Sequence, residues 1–239
     1  MGDTAWTLEW GLVIDPEVNL RCLDLASRIQ SWQLEQGIEG LVDVIPTFRS
    51  VTVHFDPLVL NAQTLADQLL ALAASAQAVP TAGRQWRLPV HFGAEHGPDL
   101  DELAERVKLT PDTCVHTLCD TVLRVYAMGF MPGFAYMATL PPSLHVPRRA
   151  TPRTRVAPQT LAIANGMAGI YPWPSPGGWY LLGHMPVPLF DSRLDDQAAL
   201  FCAGDALQFY PVDANTCDAL TRELAHDPAV RWRFLEHAS

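Results

Sequence analysis

Five arginines and a missing charge mark the part of this chain that could do chemistry. Arg124, Arg148, Arg149, Arg153 and Arg155 lie between Asp120 and Asp191, a stretch that contains no Asp or Glu. The chain carries 26 acidic residues and a net charge of -10, so the +5 of this stretch leaves -15 on the rest. Such asymmetry predicts a surface for an anionic ligand or an acidic partner, because a guanidinium fork can bind two oxygens of a carboxylate or phosphate at once. On charge alone, an arginine-rich solvated loop remains open. Arg148 and Arg153 are the strongest anion-binding candidates, since each follows a proline (Pro147, Pro152) that restricts the backbone and aims the side chain. Proton transfer within the stretch is limited to His145, His184 and Tyr136, with Asp191 at its border. A carboxylate base must therefore come from Asp191, from the first part of the chain, or from another chain. The stretch also lacks the oxygen ligands that would hold magnesium.

Two loop-like clusters flank the arginines. In GFMPGFAY, Gly129, Pro132 and Gly133 allow close approach to a ligand and free backbone amides for an oxyanion. Phe130, Phe134 and Tyr136 would wall a pocket, or else fill a barrel core. In PWPSPGGW, Ser175 and the amides of Gly177 and Gly178 suit a carboxylate or phosphate, Pro176 stiffens the loop, and Trp179 packs. Other signatures are missing. There is no Gly-x-Gly-x-x-Gly, no nucleophile elbow and no HExxH, and the single lysine, Lys108, excludes a P-loop or Schiff-base lysine. His91, His96 and Glu95 form a loose group near a strand end, and no metal site is expected there.

These residues need elements to position them, and two textures appear along the chain. Up to about residue 83, a strand (TLEWGLVID), a helix begun by Asp15-Pro16, a hairpin (LVDVIPTF, SVTVHFD) and a helix from Asn61 to Ala76 precede a strand from Trp86 to Phe92. This order suggests an α+β unit of ferredoxin-like type. Beyond it, helices LDELAERVK and the one started by Thr110-Pro111 lead into short β-rich runs punctuated by Pro and Gly, as in a barrel or sandwich. Asn215 to His237 reads as helical, broken at Asp227-Pro228. The expected division is 1–83, 84–213 and a helical tail 214–239. Five cysteines without a CxxC pair indicate reduced thiols and a cytoplasmic protein. The acidity argues against nucleic acid, and no apolar run is long enough for a membrane helix.

The run GFMPGFAYMATLPPSLHVPRRATPR, then IANGMAGIYPWPSPGGWYLLGHMPVPLFD, resembles the signature of the 5-oxoprolinase B-subunit family, also called the KipI or allophanate-hydrolase-subunit-1 family. The likeness takes in IPTFRSVTVHFDP, GPDLDELAE, His116 and GDALQFYP, and so reaches about residue 212. It implies an N-terminal α+β domain, a cyclophilin-like β-barrel and membership of an ATP-dependent complex that opens 5-oxo-L-proline to L-glutamate. The partners implied are a carboxyltransferase-like C subunit (KipA-like) and a LamB/YcsF-like A subunit. ATP is the implied cofactor, with magnesium held largely by a partner. Arg148, Arg153, His184 and Asp191 are the catalytic candidates, and His116 joins the two loops as a binding candidate. Other branches imply inhibition of a sensor histidine kinase, or half of the carboxyltransferase of allophanate hydrolase or urea carboxylase. The chain departs from the family where Gly183-His184-Met185 replaces the usual Gly-Arg-Thr, and where Ala157-Pro158-Gln159-Thr160 replaces Pro-Ala-Gly-Ser.

Overall fold

The computed structural model describes residues 3–78 and 83–236, which fall into two compact units, 1–82 and 83–239. Residues 79–82, just before the boundary that the sequence places between 83 and 84, lie outside the described residues, as does His237.

In the first unit, strand β1 (Ala5–Glu9) precedes helix α1 (Pro16–Gln36). The Asp15 carboxylate accepts from the backbone N–H groups of Glu17 and Val18 at 2.8 and 3.2 Å, and Pro16 occupies the first turn, where its missing N–H costs nothing. The α1 face carrying Cys22, Leu25, Ala26 and Ile29 is buried. Strands β2 (Leu41–Pro46) and β3 (Ser50–Phe55) form the hairpin, and helix α2 (Ala62–Ala74) is capped by Asn61. Val51, Val53 and Phe55 point alternately from β3 into the core between sheet and helices. The sheet is antiparallel in the order β1-β3-β2. The strand expected to complete it does not do so. Strand β4 (Gln85–Phe92) belongs to the second unit, because Trp86, Leu88 and Val90 are buried in that unit's core.

Helices α3 (Leu100–Val107) and α4 (Pro111–Asp120) follow β4, and the chain then builds β5 (Leu123–Met128), β6 (Ala135–Ala138), β7 (Arg153–Val156), β8 (Thr160–Ala164), β9 (Met167–Tyr171), β10 (Ser175–Gly177), β11 (Tyr180–His184) and β12 (Ala206–Pro211). Seven of these strands close a barrel in the order β11-β8-β9-β6-β5-β12-β4, with β11 returning to pair with β4. Helix α5 (Ala214–His226) ends at Asp227-Pro228, a 3-10 turn runs over Pro228–Phe234, and β13 (Leu235–Glu236) adds to β4 beside Trp86. The C-terminal segment thus packs within the second unit, with Leu224 and Phe234 in the barrel core. No helix among the described residues is long and apolar enough to cross a membrane.

Alternation along the strands separates two apolar layers. Met137, Leu161, Ile163, Ala168, Ile170 and Leu182 face the barrel interior. Their neighbours Tyr136, Ala162, Ala164, Tyr171 and Leu181 face outward and belong to a second cluster that also holds Val156 of β7. The β7–β10 ribbon, a separate two-stranded sheet, thus contributes to that outer layer. This explains why all five residues of β8 are buried although one face points away from the barrel.

Truncating Ile163, fully buried in β8, to Ala should cost about 2–5 kcal/mol by chemical denaturation. Leu34→Ala, at a residue of α1 that is 83% exposed, should stay within about 0.5 kcal/mol.

Candidate functional site

One carboxylate organises the arginine run. Asp99, immediately before α3, has a side chain 3% exposed, and burying such a charge is costly unless it is paired and hydrogen-bonded. Both needs are met. Arg153 donates through Nη1 and Nη2 at 2.8 and 2.6 Å, Arg149 through Nη1 at 3.1 Å, and the backbone N–H of Leu181 at 2.8 Å. Arg149 also reaches Glu102 at 2.5 Å, which holds that carboxyl below its usual range and raises the arginine. The backbone N–H of Arg149 donates to the Gly178 carbonyl at 2.8 Å, joining the arginine loop to the glycine loop.

Beside this clamp is a pocket of about 480 Å³ on the outer layer of the barrel. Phe134 is the centre of its wall, with Tyr136, Phe130, Tyr171 and Trp179 around it at ring separations of 4.8, 5.6, 5.6 and 6.1 Å, all edge-on. Such edge-to-face contacts set a positive ring edge against a negative face. Gly169 in β9 leaves room for these rings, since a Cβ there would lie 2.8 Å from Phe134 and 3.0 Å from Trp179. Arg148 stands with its guanidinium 5.9 Å from the Trp179 ring centroid. Among the described residues no carboxylate pairs with it. Among the described residues, no Asp or Glu lines the pocket. The arrangement offers a cationic group beside aromatic rings, suited to an anionic, partly apolar ligand, and no carboxylate base among the described residues.

The expected binding residues divide. Phe130, Phe134 and Tyr136 line the pocket from the first loop, Pro176, Gly177, Gly178 and Trp179 from the second, and Arg148 from between them. Gly129, Pro132, Gly133 and Ser175 do not. Gly133 has φ 84° and abuts Phe190 and Leu189, Pro132 accepts a hydrogen bond from the Trp173 indole at 3.1 Å, and Ser175 is buried, its hydroxyl donating to the Pro176 carbonyl. Arg149, Pro152 and Tyr171 line the pocket and were missed by the sequence reading. The adjacency of Arg149 to Arg148 was the one available signal.

The catalytic candidates need correction. Arg153 is no free anion binder, because its fork is occupied by Asp99, a counter-charge from outside the acid-free stretch. Asp191 caps the 3-10 turn Ser192–Gln197 and pairs with Arg193 at 2.6 Å, a hydrogen bond that lowers its pKa. His184 lies at the end of β11, its ring 5.1 Å from that of His96, which is 5.8 Å from His91. Burial first, then these two neighbours, bring its pKa down to about 4, so it is neutral at pH 7 and no proton donor there. His116 is exposed on α4, 3.2 Å from Asp120, and borders a different cleft with His91 and Cys119. Among the described residues, no group of three or more His, Cys, Asp or Glu side chains is placed to hold a metal ion.

A family model described as carboxyltransferase domain, subdomain C and D, matches residues 1–201. The Haemophilus influenzae protein named as the B subunit of 5-oxoprolinase is 37% identical over 174 residues, 73% of this chain and 81% of its own length. The protein of that name from Escherichia coli O157:H7 is 33% identical over 224 residues, 91% of this chain and 96% of its own. Among solved structures, TTHA0988 is 32% identical with a TM-score of 0.76 over 88% of this chain. This chain spans only 40% of that protein's length.

Removing one member of the buried clamp should be severe. Arg153→Ala should lower unfolding free energy by about 3–5 kcal/mol, whereas Arg148→Ala should leave it within about 0.5 kcal/mol. Acid should also destabilise the protein through His184. Its folded pKa of about 4 lies below the unfolded 6.5, so the unfolded state binds the proton first. Its contribution is complete above pH 6.5 and is lost as pH falls towards 4, up to about 3 kcal/mol. Denaturation midpoints at pH 7 and 4.5 should converge in His184→Gln relative to the parent.

Proposed function

Because the chain belongs to the carboxyltransferase domain family of subdomains C and D and is 33–37% identical to two proteins named as B subunits of 5-oxoprolinase, we propose that it is the B subunit of an ATP-dependent 5-oxoprolinase. The complex would hydrolyse 5-oxo-L-proline to L-glutamate with a carboxyltransferase-like C subunit and a LamB/YcsF-like A subunit. The names of the relatives do not favour the kinase-inhibitor reading. On the same reading the seven-stranded barrel is cyclophilin-like, and the three-stranded unit is a ferredoxin-like sheet without its last strand.

The observation that carries this proposal is the unpaired Arg148 over Trp179 in an aromatic pocket without carboxylates. A lactam resists hydrolysis because resonance makes its carbonyl a poor electrophile, and ATP supplies activation of that oxygen. The chain's own part is to bind and orient. Arg148 would take a carboxylate or phosphate oxygen pair, the amides of Gly177 and Gly178 would add neutral donors, and the rings would keep water from the apolar face of the ligand. These residues fit an anionic group and not a bare divalent cation, so magnesium accompanying the nucleotide would be held by a partner. The base that directs water would come from a partner as well.

The purified chain alone should show no 5-oxoproline-dependent ATP hydrolysis, and activity should appear when the two companion subunits join it. Robust turnover by the single chain would refute the division of labour. In the complex, Arg148→Ala should cost about 1.5–3 kcal/mol in kcat/KM, and Arg148→Lys should recover part of it, since a point charge cannot make the two-pronged contact.

A further inference from the structure

We infer that the Tyr171 hydroxyl is a binding group of the aromatic pocket, donating a hydrogen bond to a carboxylate that Arg148 pairs, so that the pocket takes a monocarboxylate rather than a nucleotide phosphate. That this acid is 5-oxo-L-proline rests on the functional reading above. The donor and the single charge rest on the geometry.

Tyr171 ends β9 and is 3% exposed, with its ring edge-on against Phe134 at 5.6 Å. A tyrosine buried to this degree ordinarily finds a hydrogen-bond partner for its hydroxyl. Among the described residues this one has none, yet the oxygen is not sealed off, and Tyr171 lines the pocket. Gly177, also in the pocket lining, fixes where the hydroxyl lies. A Cβ on Gly177 would strike the Tyr171 hydroxyl oxygen, and would stand 2.8 Å from Cζ of that ring and 2.9 Å from Cγ2 of Val156. The backbone of Gly177 is not in the left-handed region, so the space, and not the conformation, calls for glycine. Burial is the main influence on the phenol and raises its pKa, while Arg148 is the nearby charge that most opposes the rise. The hydroxyl is therefore protonated at pH 7 and available as a donor. A strand glycine and an unbonded buried phenol both cost stability, and a bound oxyanion at that oxygen accounts for both.

The charge of the pocket selects among oxyanions. Two arginines line it, but Arg149 is matched: it and Arg153 are paired with Asp99 and Glu102, two carboxylates for two guanidinium groups. Arg148 is the lining cation left without a carboxylate among the described residues. One guanidinium balances one negative charge. A nucleotide phosphate chain would bring more charge than this pocket neutralises, and the single lysine of the chain, Lys108, is not in the lining. A carboxylate can give an oxygen pair to the Arg148 fork and keep a lone pair for the Tyr171 hydroxyl. The ring walls at Phe134 and Trp179 then meet the apolar part of a small cyclic acid.

The test has two arms: steady-state kinetics of the reconstituted complex, and calorimetric titration of the full chain alone with benzoate, a cyclic monocarboxylate, and with inorganic phosphate. Tyr171→Phe keeps the ring and removes only the hydroxyl. In the complex it should raise KM for 5-oxo-L-proline about tenfold and leave kcat and KM for ATP unchanged. In the free chain it should weaken benzoate binding about tenfold, with a melting temperature at or slightly above the parent's, since no hydrogen bond is lost there. Phosphate should bind the parent at least about tenfold more weakly than benzoate. If KM for ATP rises in place of KM for 5-oxo-L-proline, or if phosphate binds as tightly as benzoate, the pocket serves a phosphate and the inference is overturned. It is overturned equally if the variant matches the parent in both arms. If the complex hydrolyses no 5-oxo-L-proline while benzoate binds the parent and not the variant, the functional reading fails and the monocarboxylate site stands.

Discussion

The site depends on a single buried carboxylate and the four N–H donors that surround it. Asp99 would be a heavy liability in the barrel wall without the forks of Arg149 and Arg153 and the amide of Leu181. With them it joins three segments far apart in sequence. The loop before α3 supplies the charge, β11 receives it through Leu181, and the arginine run is pulled against both. Because the Arg149 backbone is also bonded to Gly178, the clamp fixes the glycine loop as well. Asp99 precedes α3 but makes no capping hydrogen bond, its oxygens being committed to the arginines and to β11.

That clamp divides the labour among arginines that look alike in sequence. Arg149 and Arg153 are spent on structure, Arg124 donates to the Gly204 carbonyl, and Arg148 and Arg155 form no ion pair among the described residues. Consecutive residues can differ in this way because Arg148 leans on the Trp179 face while Arg149 turns to Asp99 and the Tyr180 ring, 5.3 Å away. A similar logic governs the aromatic residues. The seven-stranded barrel needs only one set of alternating side chains for its interior. The other set, on β6, β8, β9 and β11, is covered by the β7–β10 ribbon and becomes a pocket wall rather than solvent-facing surface.

Where the family pattern is broken, the structure gives partial reasons. Met185 is fully buried in the barrel core, where a hydroxyl would need a partner. His184 sits among His91 and His96, a position that favours a neutral ring. The matched region of the family model ends at residue 201, but the barrel does not, since β12 pairs with both β4 and β5 and α5 lends Leu224 to the core.

Local signals were legible in the sequence. Asp15-Pro16 and Asn61 mark helix starts because capping is decided within four residues, and Asp227-Pro228 breaks a helix because proline cannot continue one. The two loops that line the pocket were also readable, since glycine, proline and aromatic residues cluster there. Pairing across the fold was not. The sequence states that 121–190 lacks acid, but not that Asp99 enters from outside to occupy Arg153, nor that Asp191 is already held by Arg193. It shows that 85–92 is a strand, but not which sheet takes it, because alternation defines two faces and leaves the partner strand open. Short-range pattern thus determined most of the elements, and the ordered glycine, proline and aromatic motifs carried the family resemblance. Only the tertiary structure decided which of the arginines are neutralised by carboxylates, because ion pairing depends on distances between segments that the order of residues does not contain.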